Sequence, residues 1–85
     1  NIDRKLFSKI LGGNIPKKRT ILALCIALKL NLDEAETLLN TAGYTLSHSI
    51  KADLIVEYFI VNNKFDIYEL NEMLFDNGER MLGSI

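Results

Sequence analysis

The stretch Ile21-Leu22-Ala23-Leu24-Cys25-Ile26-Ala27-Leu28 decides the fold of this 85-residue chain, because it is apolar at every position. A composition rich in leucine and alanine favours a helix over a buried strand. A helix that is apolar on all sides needs neighbours on all sides to remove it from water. Pro16 stands just ahead of the run, and its fixed φ is typical of a residue that leads into a helix. The sequence therefore predicts a central, buried helix over residues 21–28.

Four further segments have apolar residues at helical spacing, and residues typical of helix ends bound them. The first segment would follow Asp3 as its N-cap and end at Gly12-Gly13. Asn31 and Asp33 are alternative N-caps for the helix after the central one, because a glutamate stands three residues after each of them. The apolar positions of the four segments are Leu6, Phe7, Ile10 and Leu11; Leu32, Ala35, Leu38 and Leu39; Ile50, Leu54, Ile55, Tyr58 and Phe59; and Ile67, Leu70, Met73 and Leu74.

The last two helices have recognisable starting residues. Ser47 and Ser49 are predicted to open the fourth helix, and Asp66 with Glu69 forms a capping-box pair that would open the fifth. Residues 81–85 are expected to form a tail. Because no alternating strand pattern is present, we predict an all-α fold of about five short helices.

The bulk composition is that of one globular domain, residues 1–85, with 48% hydrophobic and 25% charged residues. Cys25 is the lone cysteine, so no intrachain disulfide can form, and a reducing compartment is expected. No stretch reaches the roughly 20 apolar residues that span a bilayer, and no signal-peptide pattern is present. We therefore expect a cytoplasmic protein without a membrane partner.

Charge is divided unevenly along the chain. Residues 1–20 carry six bases and one acid, a net charge of +5, whereas residues 21–85 carry four bases and ten acids, a net charge of −6. The near-neutral total conceals a basic end that can attract phosphates. Three of its bases stand at the start of the central helix, where the helix dipole disfavours cations unless an anion binds. The six bases are Arg4, Lys5, Lys9, Lys17, Lys18 and Arg19.

Residues 2–10, Ile-Asp-Arg-Lys-Leu-Phe-Ser-Lys-Ile, resemble the recognition helix of an Xre/Cro-type (lambda-repressor-like) helix-turn-helix domain. Residues 16–34, which contain the central helix and Leu-Asp-Glu at their end, resemble the fourth and fifth helices of that family. The block 42–49, Ala-Gly-Tyr-Thr-Leu-Ser-His-Ser, is similar to one in bacterial members with a helical C-terminal extension, some of them attached to an ADP-ribose-processing macrodomain. The resemblance implies a lambda-repressor-like part, residues 1–44, followed by an extension, residues 45–85. It also implies that the family's first two helices would come before Asn1.

The resemblance further implies a bacterial transcriptional regulator that binds double-stranded DNA in a sequence-specific manner. We expect a homodimer, because one short recognition helix reads too few bases alone. In this interpretation Arg4 donates twice to a guanine. Lys17, Lys18 and Arg19 would contact the flanking phosphates and fix the register. The predicted DNA-binding residues are Arg4, Lys5, Ser8, Lys9, Lys17, Lys18 and Arg19.

Two alternatives stand beside this interpretation. The basic residues could be a solvated face of a small domain. The chain could also be a protein-interaction or tethering module, attached to a partner or to an upstream domain, that uses the same helical scaffold without reading DNA. The acidic composition of residues 21–85 favours this second alternative.

No cofactor, metal or catalytic activity is expected, because the sequence has no nucleophile beside a base and no cluster of Cys and His. His48 is expected to cap or pack, and Cys25 to lie in the core.

The aromatic residues gather in the last third of the chain. Tyr58 and Phe59 are expected in a second core layer, whereas Phe65 and Phe75 are candidates for exposure at a dimer or partner surface.

Overall fold

The computed structural model describes residues 16–82. These residues form four α-helices without a strand among them, which confirms the all-α prediction. The helix predicted after Asp3 lies outside the described residues. The four helices are α1 (Lys18–Ala27), α2 (Leu32–Thr41), α3 (Lys51–Val61) and α4 (Ile67–Asp76).

The core lies between the four helices, because α1 and α3 each pack against both α2 and α4. Helix α1 supplies the largest share of the core, as the apolar run predicts, although Leu24 is only partly buried. The prediction is wrong at Ala27 and Leu28, which are exposed because the helix ends there, and the next residue, Lys29, has a positive φ of 54°. The buried side chains of α1 are Ile21, Leu22, Ala23, Cys25 and Ile26.

Helix α2 begins at a complete capping box, which decides between the two predicted N-caps. The side chain of Asn31 accepts a hydrogen bond from the backbone N–H of Glu34 at 2.8 Å, and the Glu34 carboxylate accepts from the Asn31 N–H at 3.0 Å. This exchange satisfies two N–H groups that a helix start otherwise leaves unpaired. At the other end Gly43 adopts a φ of 85°, a left-handed conformation that glycine reaches without steric cost.

Helix α3 starts later than the sequence predicts. Its N-cap is Ile50, which offers no side-chain hydrogen bond, and Ser47 and Ser49 lie in the preceding turn. The backbone N–H of Ser47 donates instead to Asp53, an acid in the first turn of α3, at 2.8 Å. Asp53 therefore accepts a hydrogen bond from the loop that precedes α3, and neither Ser47 nor Ser49 caps the helix.

The start of α4 forms half of the predicted capping box. The Asp66 carboxylate accepts from the N–H groups of Tyr68 at 2.9 Å and of Glu69 at 3.4 Å. The Glu69 carboxylate does not return the bond, because it lies 3.5 Å from the Lys64 ammonium.

The chain after α4 packs against the core at its last described residue. Leu82 is buried, and its N–H and carbonyl bond to the Asn71 side chain at 2.7 and 3.1 Å. The prediction that residues 81–85 form a tail is therefore wrong at Leu82, while residues 83–85 lie outside the described part of the chain.

Candidate nucleic-acid interface

Three of the seven predicted DNA-binding residues lie in the described part of the chain. Lys17, Lys18 and Arg19 stand together at the start of α1, as the sequence predicts. The other four predicted residues, Arg4, Lys5, Ser8 and Lys9, lie outside the described residues. Although the three cations are consecutive, the structure places them in different surroundings.

Lys17 is the N-cap of α1 and is exposed. Its backbone is extended, with φ −68° and ψ 153°, and its carbonyl accepts from the N–H groups of Thr20 at 3.0 Å and Ile21 at 3.2 Å. Among residues 16–82 the Lys17 side chain has no hydrogen-bond or ion-pair partner. Its ammonium group can therefore meet a ligand from solvent without breaking a contact with these residues.

Lys18 is turned toward the protein. Its Nζ lies 2.5 Å from Oδ2 of Asp53, whose side chain is only 3% exposed, whereas that of Lys18 is 24% exposed. The same Oδ2 accepts from the N–H of Ser47. A buried carboxylate without such partners would be costly, so this cation stabilises the native packing.

Arg19 also bonds within the protein, through Nη2, which donates to the carbonyl of Met81. This contact joins the first turn of α1 to the segment after α4. Arg19 and Arg80 line a shallow cleft of about 240 Å³ whose floor includes the buried side chains of Leu22 and Leu82. Glu79 lines the same cleft and offsets part of its positive charge.

The block 42–49 connects the same region to α2 and α3. The hydroxyl of Tyr44 donates to the carbonyl of Pro16 at 3.0 Å, so the block is fastened to the residue that precedes the cationic cluster. Ser47 in turn bonds to Asp53. Residues 42–49 thus bond both to the residue that precedes Lys17 and to the first turn of α3.

Asp53 is the residue that sequence reasoning missed. It lies three and seven positions before Val56 and Ile60, both buried, and therefore shares the inward face of α3 with them. A lone acid on an apolar inward face requires a cation or several N–H donors. That requirement was visible in the sequence, although the identity of the cation was not.

The start of α1 lacks the features that normally neutralise a helix N-terminus. It has no side-chain cap and no acid in its first turn. Its unpaired N–H groups and the positive end of the helix dipole therefore add to the charge of Lys17. Such a site can bind a phosphate oxygen, an anion that neutralises both charges.

The remaining candidates are structural or lie at the surface. His48 Nε2 is 3.1 Å from Glu57 Oε1, and both side chains reach solvent. Cys25 is a core residue, as the sequence predicts, and burial raises the pKa of its thiol to about 12.

Phe59 is buried as predicted, but Tyr58 is 52% exposed, which contradicts its expected place in the core. Phe75 is exposed as predicted.

Residues 16–82 contain no group of three or more His, Cys, Asp or Glu side chains placed to hold a metal ion. No helix within the same residues has the length and apolar character needed to cross a membrane.

Comparison with protein-family models, curated proteins and solved structures finds no match to this chain.

Proposed function

We propose that this chain binds double-stranded DNA as an Xre-like (lambda-repressor-like) transcriptional regulator. The observation that carries the proposal is the start of α1, a helix end with no side-chain cap, a solvent-exposed lysine at the N-cap and no acidic residue of its own in the first turn. This arrangement suits a phosphate of the DNA backbone, which would supply the missing negative charge. The basic segment of residues 1–20 adds a net charge of +5 beside it.

In this proposal the three cations of α1 have different roles. Lys17 contacts phosphate directly. Lys18 and Arg19 hold the site together through Asp53 and Met81, and Arg19, whose partner is an uncharged carbonyl, also contributes to the positive field. Base recognition falls to Arg4, with Lys5, Ser8 and Lys9 beside it, and two copies of the chain would supply two such readers.

Fluorescence anisotropy with mixed-sequence duplex DNA at several salt concentrations tests the proposal. Five phosphate contacts give a slope of log affinity on log salt of about −4 to −5. If Lys18 and Arg19 stay with their protein partners, three cations besides the base reader Arg4 remain in residues 1–20, namely Lys5, Lys9 and Lys17, and we expect a shallower slope of about −2.7. Absent binding, or binding that does not respond to salt, would remove the DNA proposal.

The alternative function is a protein-interaction or tethering module. The charge of the described region favours it, since residues 16–82 carry ten acids and seven bases, a net charge of −3. An acidic surface repels DNA wherever it approaches the duplex. The same anisotropy measurement separates the two functions, because the module predicts no affinity for duplex DNA at low salt.

A further inference from the structure

The cleft beside the start of α1 combines an apolar floor with a charged rim. It lies between the first turns of α1 and α3 and the segment after α4. Its volume of about 240 Å³ is below the roughly 300–1,000 Å³ of sites that enclose a whole small molecule. The cleft therefore has room for one side chain with its flanking groups. We call it the Arg19–Arg80 cleft, with Leu22, Ile50 and Leu82 at its floor and Arg19, Glu79 and Arg80 at its rim.

The charge that lines the cleft is positive, although the described region as a whole carries −3. Lys18 and Asp53 also line the cleft, and their charges cancel because the two side chains pair at 2.5 Å. Arg19 and Arg80 then stand against Glu79, which leaves a local net charge of +1. Salt screens charges beyond about 8 Å, so an incoming group responds mainly to this local balance. The cleft therefore favours an anionic ligand.

The two arginines have donors that the protein does not use. Among residues 16–82 the Arg80 guanidinium has no ion-pair partner, and the residue is exposed. Arg19 donates to the carbonyl of Met81 through Nη2. Because a guanidinium carries five N–H donors in a fork that matches a carboxylate, both side chains can bind carboxylates at the rim.

The floor of the cleft selects an aliphatic group. Leu22 and Leu82 are buried beneath it, and Ile50 at its edge is 45% exposed. None of the described residues that line the cleft is aromatic, so a nucleobase would find no ring on which to stack. A leucine-like side chain would instead cover apolar surface that now faces water.

The backbone beside the cleft offers donors that suit a peptide. The N–H of Glu79 donates to Leu74 and that of Leu82 to Asn71. Between them, the N–H groups of Arg80 and Met81 donate to no acceptor among residues 16–82. An extended peptide can bond to such groups through its own carbonyls, whereas a free aliphatic acid brings only its carboxylate.

We propose that the Arg19–Arg80 cleft binds an acidic segment of another protein. A leucine-like side chain of that segment enters the floor, and carboxylates on either side of it bind Arg19 and Arg80. Recognition of acidic motifs by clustered arginines is a common mode of peptide binding. This inference does not depend on DNA binding, because Lys17, the proposed phosphate contact, does not line the cleft.

Fluorescence anisotropy of the full chain tests the inference, with a fluorescein-labelled peptide in which glutamates flank a single leucine and without DNA. We expect saturable binding that weakens as salt rises. Arg80→Gln should lower the affinity about fivefold, and Glu79→Gln should raise it about twofold. Lys29→Gln is the matched control, because it removes one positive charge from an exposed side chain beyond the other end of α1.

Two further changes test the floor. A peptide with serine in place of its leucine should bind about tenfold more weakly, because no apolar group then enters the cleft. Ile50→Ser should also weaken binding of the leucine peptide. Serine is a preferred N-cap, and position 50 is the N-cap of α3, so this variant is expected to fold. Circular dichroism melting of each variant confirms its fold before affinities are compared.

Four results would overturn the inference. These are no binding of the leucine peptide, equal losses from Arg80→Gln and Lys29→Gln, unchanged affinity for the serine peptide, and displacement of the leucine peptide by an equal concentration of octanoate. The last result would identify a free aliphatic acid as the occupant. In contrast, a switch of Arg80→Glu to a peptide with lysines in place of the glutamates would support direct contact.

The outcome is separate from that of the duplex titration, because no DNA is present. A chain that binds the acidic peptide but not duplex DNA would refute the DNA proposal and leave the cleft as a peptide site. A chain that binds duplex DNA but not the peptide would refute only the inference about the cleft.

Discussion

Lys18 and Asp53 join the first turns of α1 and α3 across 35 positions of sequence, with 2.5 Å between Nζ and Oδ2. The same carboxylate oxygen accepts from the N–H of Ser47, so one buried acid connects α1, α3 and the loop between α2 and α3. The neighbouring Lys17 has the same side chain and remains exposed. These two lysines therefore form a natural pair for comparing a structural cation with a cation available to a ligand.

Asp53→Ala should lower the free energy of unfolding by about 3 kcal/mol, because it leaves the Lys18 ammonium and the Ser47 N–H without their acceptor. Urea denaturation followed by circular dichroism measures the loss. A double-mutant cycle with Lys18→Ala should show a coupling energy of about 1 kcal/mol or more.

Lys17→Ala serves as the control for this cycle and should change the free energy of unfolding by no more than about 0.5 kcal/mol, since surface substitutions away from specific contacts are nearly neutral. If Lys17→Ala and Lys18→Ala destabilise the chain equally, the ion pair with Asp53 does not contribute to stability.

The helices of this chain were predictable because they follow from local properties. The apolar run predicts α1, and Asn31 with Glu34 predicts the start of α2, since both signals lie within a few residues. The difference between Lys17 and Lys18 was not predictable in this way. It depends on the approach of Asp53, which only the packing of the whole chain determines.

The predictions for Tyr58, expected in the core, and for Leu82, expected in a tail, are wrong for the same reason. Helical periodicity states which residues share a face of a helix, but not whether a neighbouring element covers that face. No second helix within residues 16–82 covers the outer side of α3. Leu82, in contrast, is buried and its backbone bonds to the side chain of Asn71.

Asn71→Ala should lower the free energy of unfolding by about 1–2 kcal/mol, because it removes both hydrogen bonds to the backbone of Leu82. The loss should be local, so amide hydrogen exchange at Leu82 should accelerate more than exchange in α1. Asn77→Ala provides a comparison, since the Asn77 side chain bonds within its own helix end, to the carbonyl of Met73. Unchanged exchange at Leu82 in Asn71→Ala would show that burial alone holds this residue.

Burial raises the pKa of the Cys25 thiol from 9.0 to about 12, because desolvation disfavours the thiolate, and a backbone hydrogen bond opposes this effect only in part. Between these two values the unfolded chain loses the thiol proton while the folded chain keeps it. The unfolded state then binds fewer protons, so the free energy of unfolding falls as the pH rises above about 9.

The difference between the wild type and Cys25→Ala isolates this contribution from the other groups that titrate in the same range. Native Cys25 should also resist alkylation by iodoacetamide and react only after unfolding in urea. Equal alkylation rates in the native and unfolded chain would mean that the thiol is accessible.

Arg4→Ala and Lys17→Ala should weaken DNA binding in different ways. A guanidinium that donates twice to guanine discriminates against the wrong base by about 1–3 kcal/mol, so Arg4→Ala should relax the preference at one base position. A lysine on a phosphate carries no sequence information, so Lys17→Ala should weaken binding to all duplexes alike and reduce the salt slope by about 1.

Anisotropy titrations against a selected site and its single-base variants measure both effects. Lys18→Ala is the informative comparison, because Asp53 holds Lys18 within the protein. After correction for the loss of stability, Lys18→Ala should change the salt slope less than Lys17→Ala does. If Arg4→Ala and Lys17→Ala produce equal losses on every duplex, Arg4 does not read a base. If Lys18→Ala reduces the slope as much as Lys17→Ala, then phosphate displaces Asp53 from Lys18 when DNA binds, and both lysines contact the duplex.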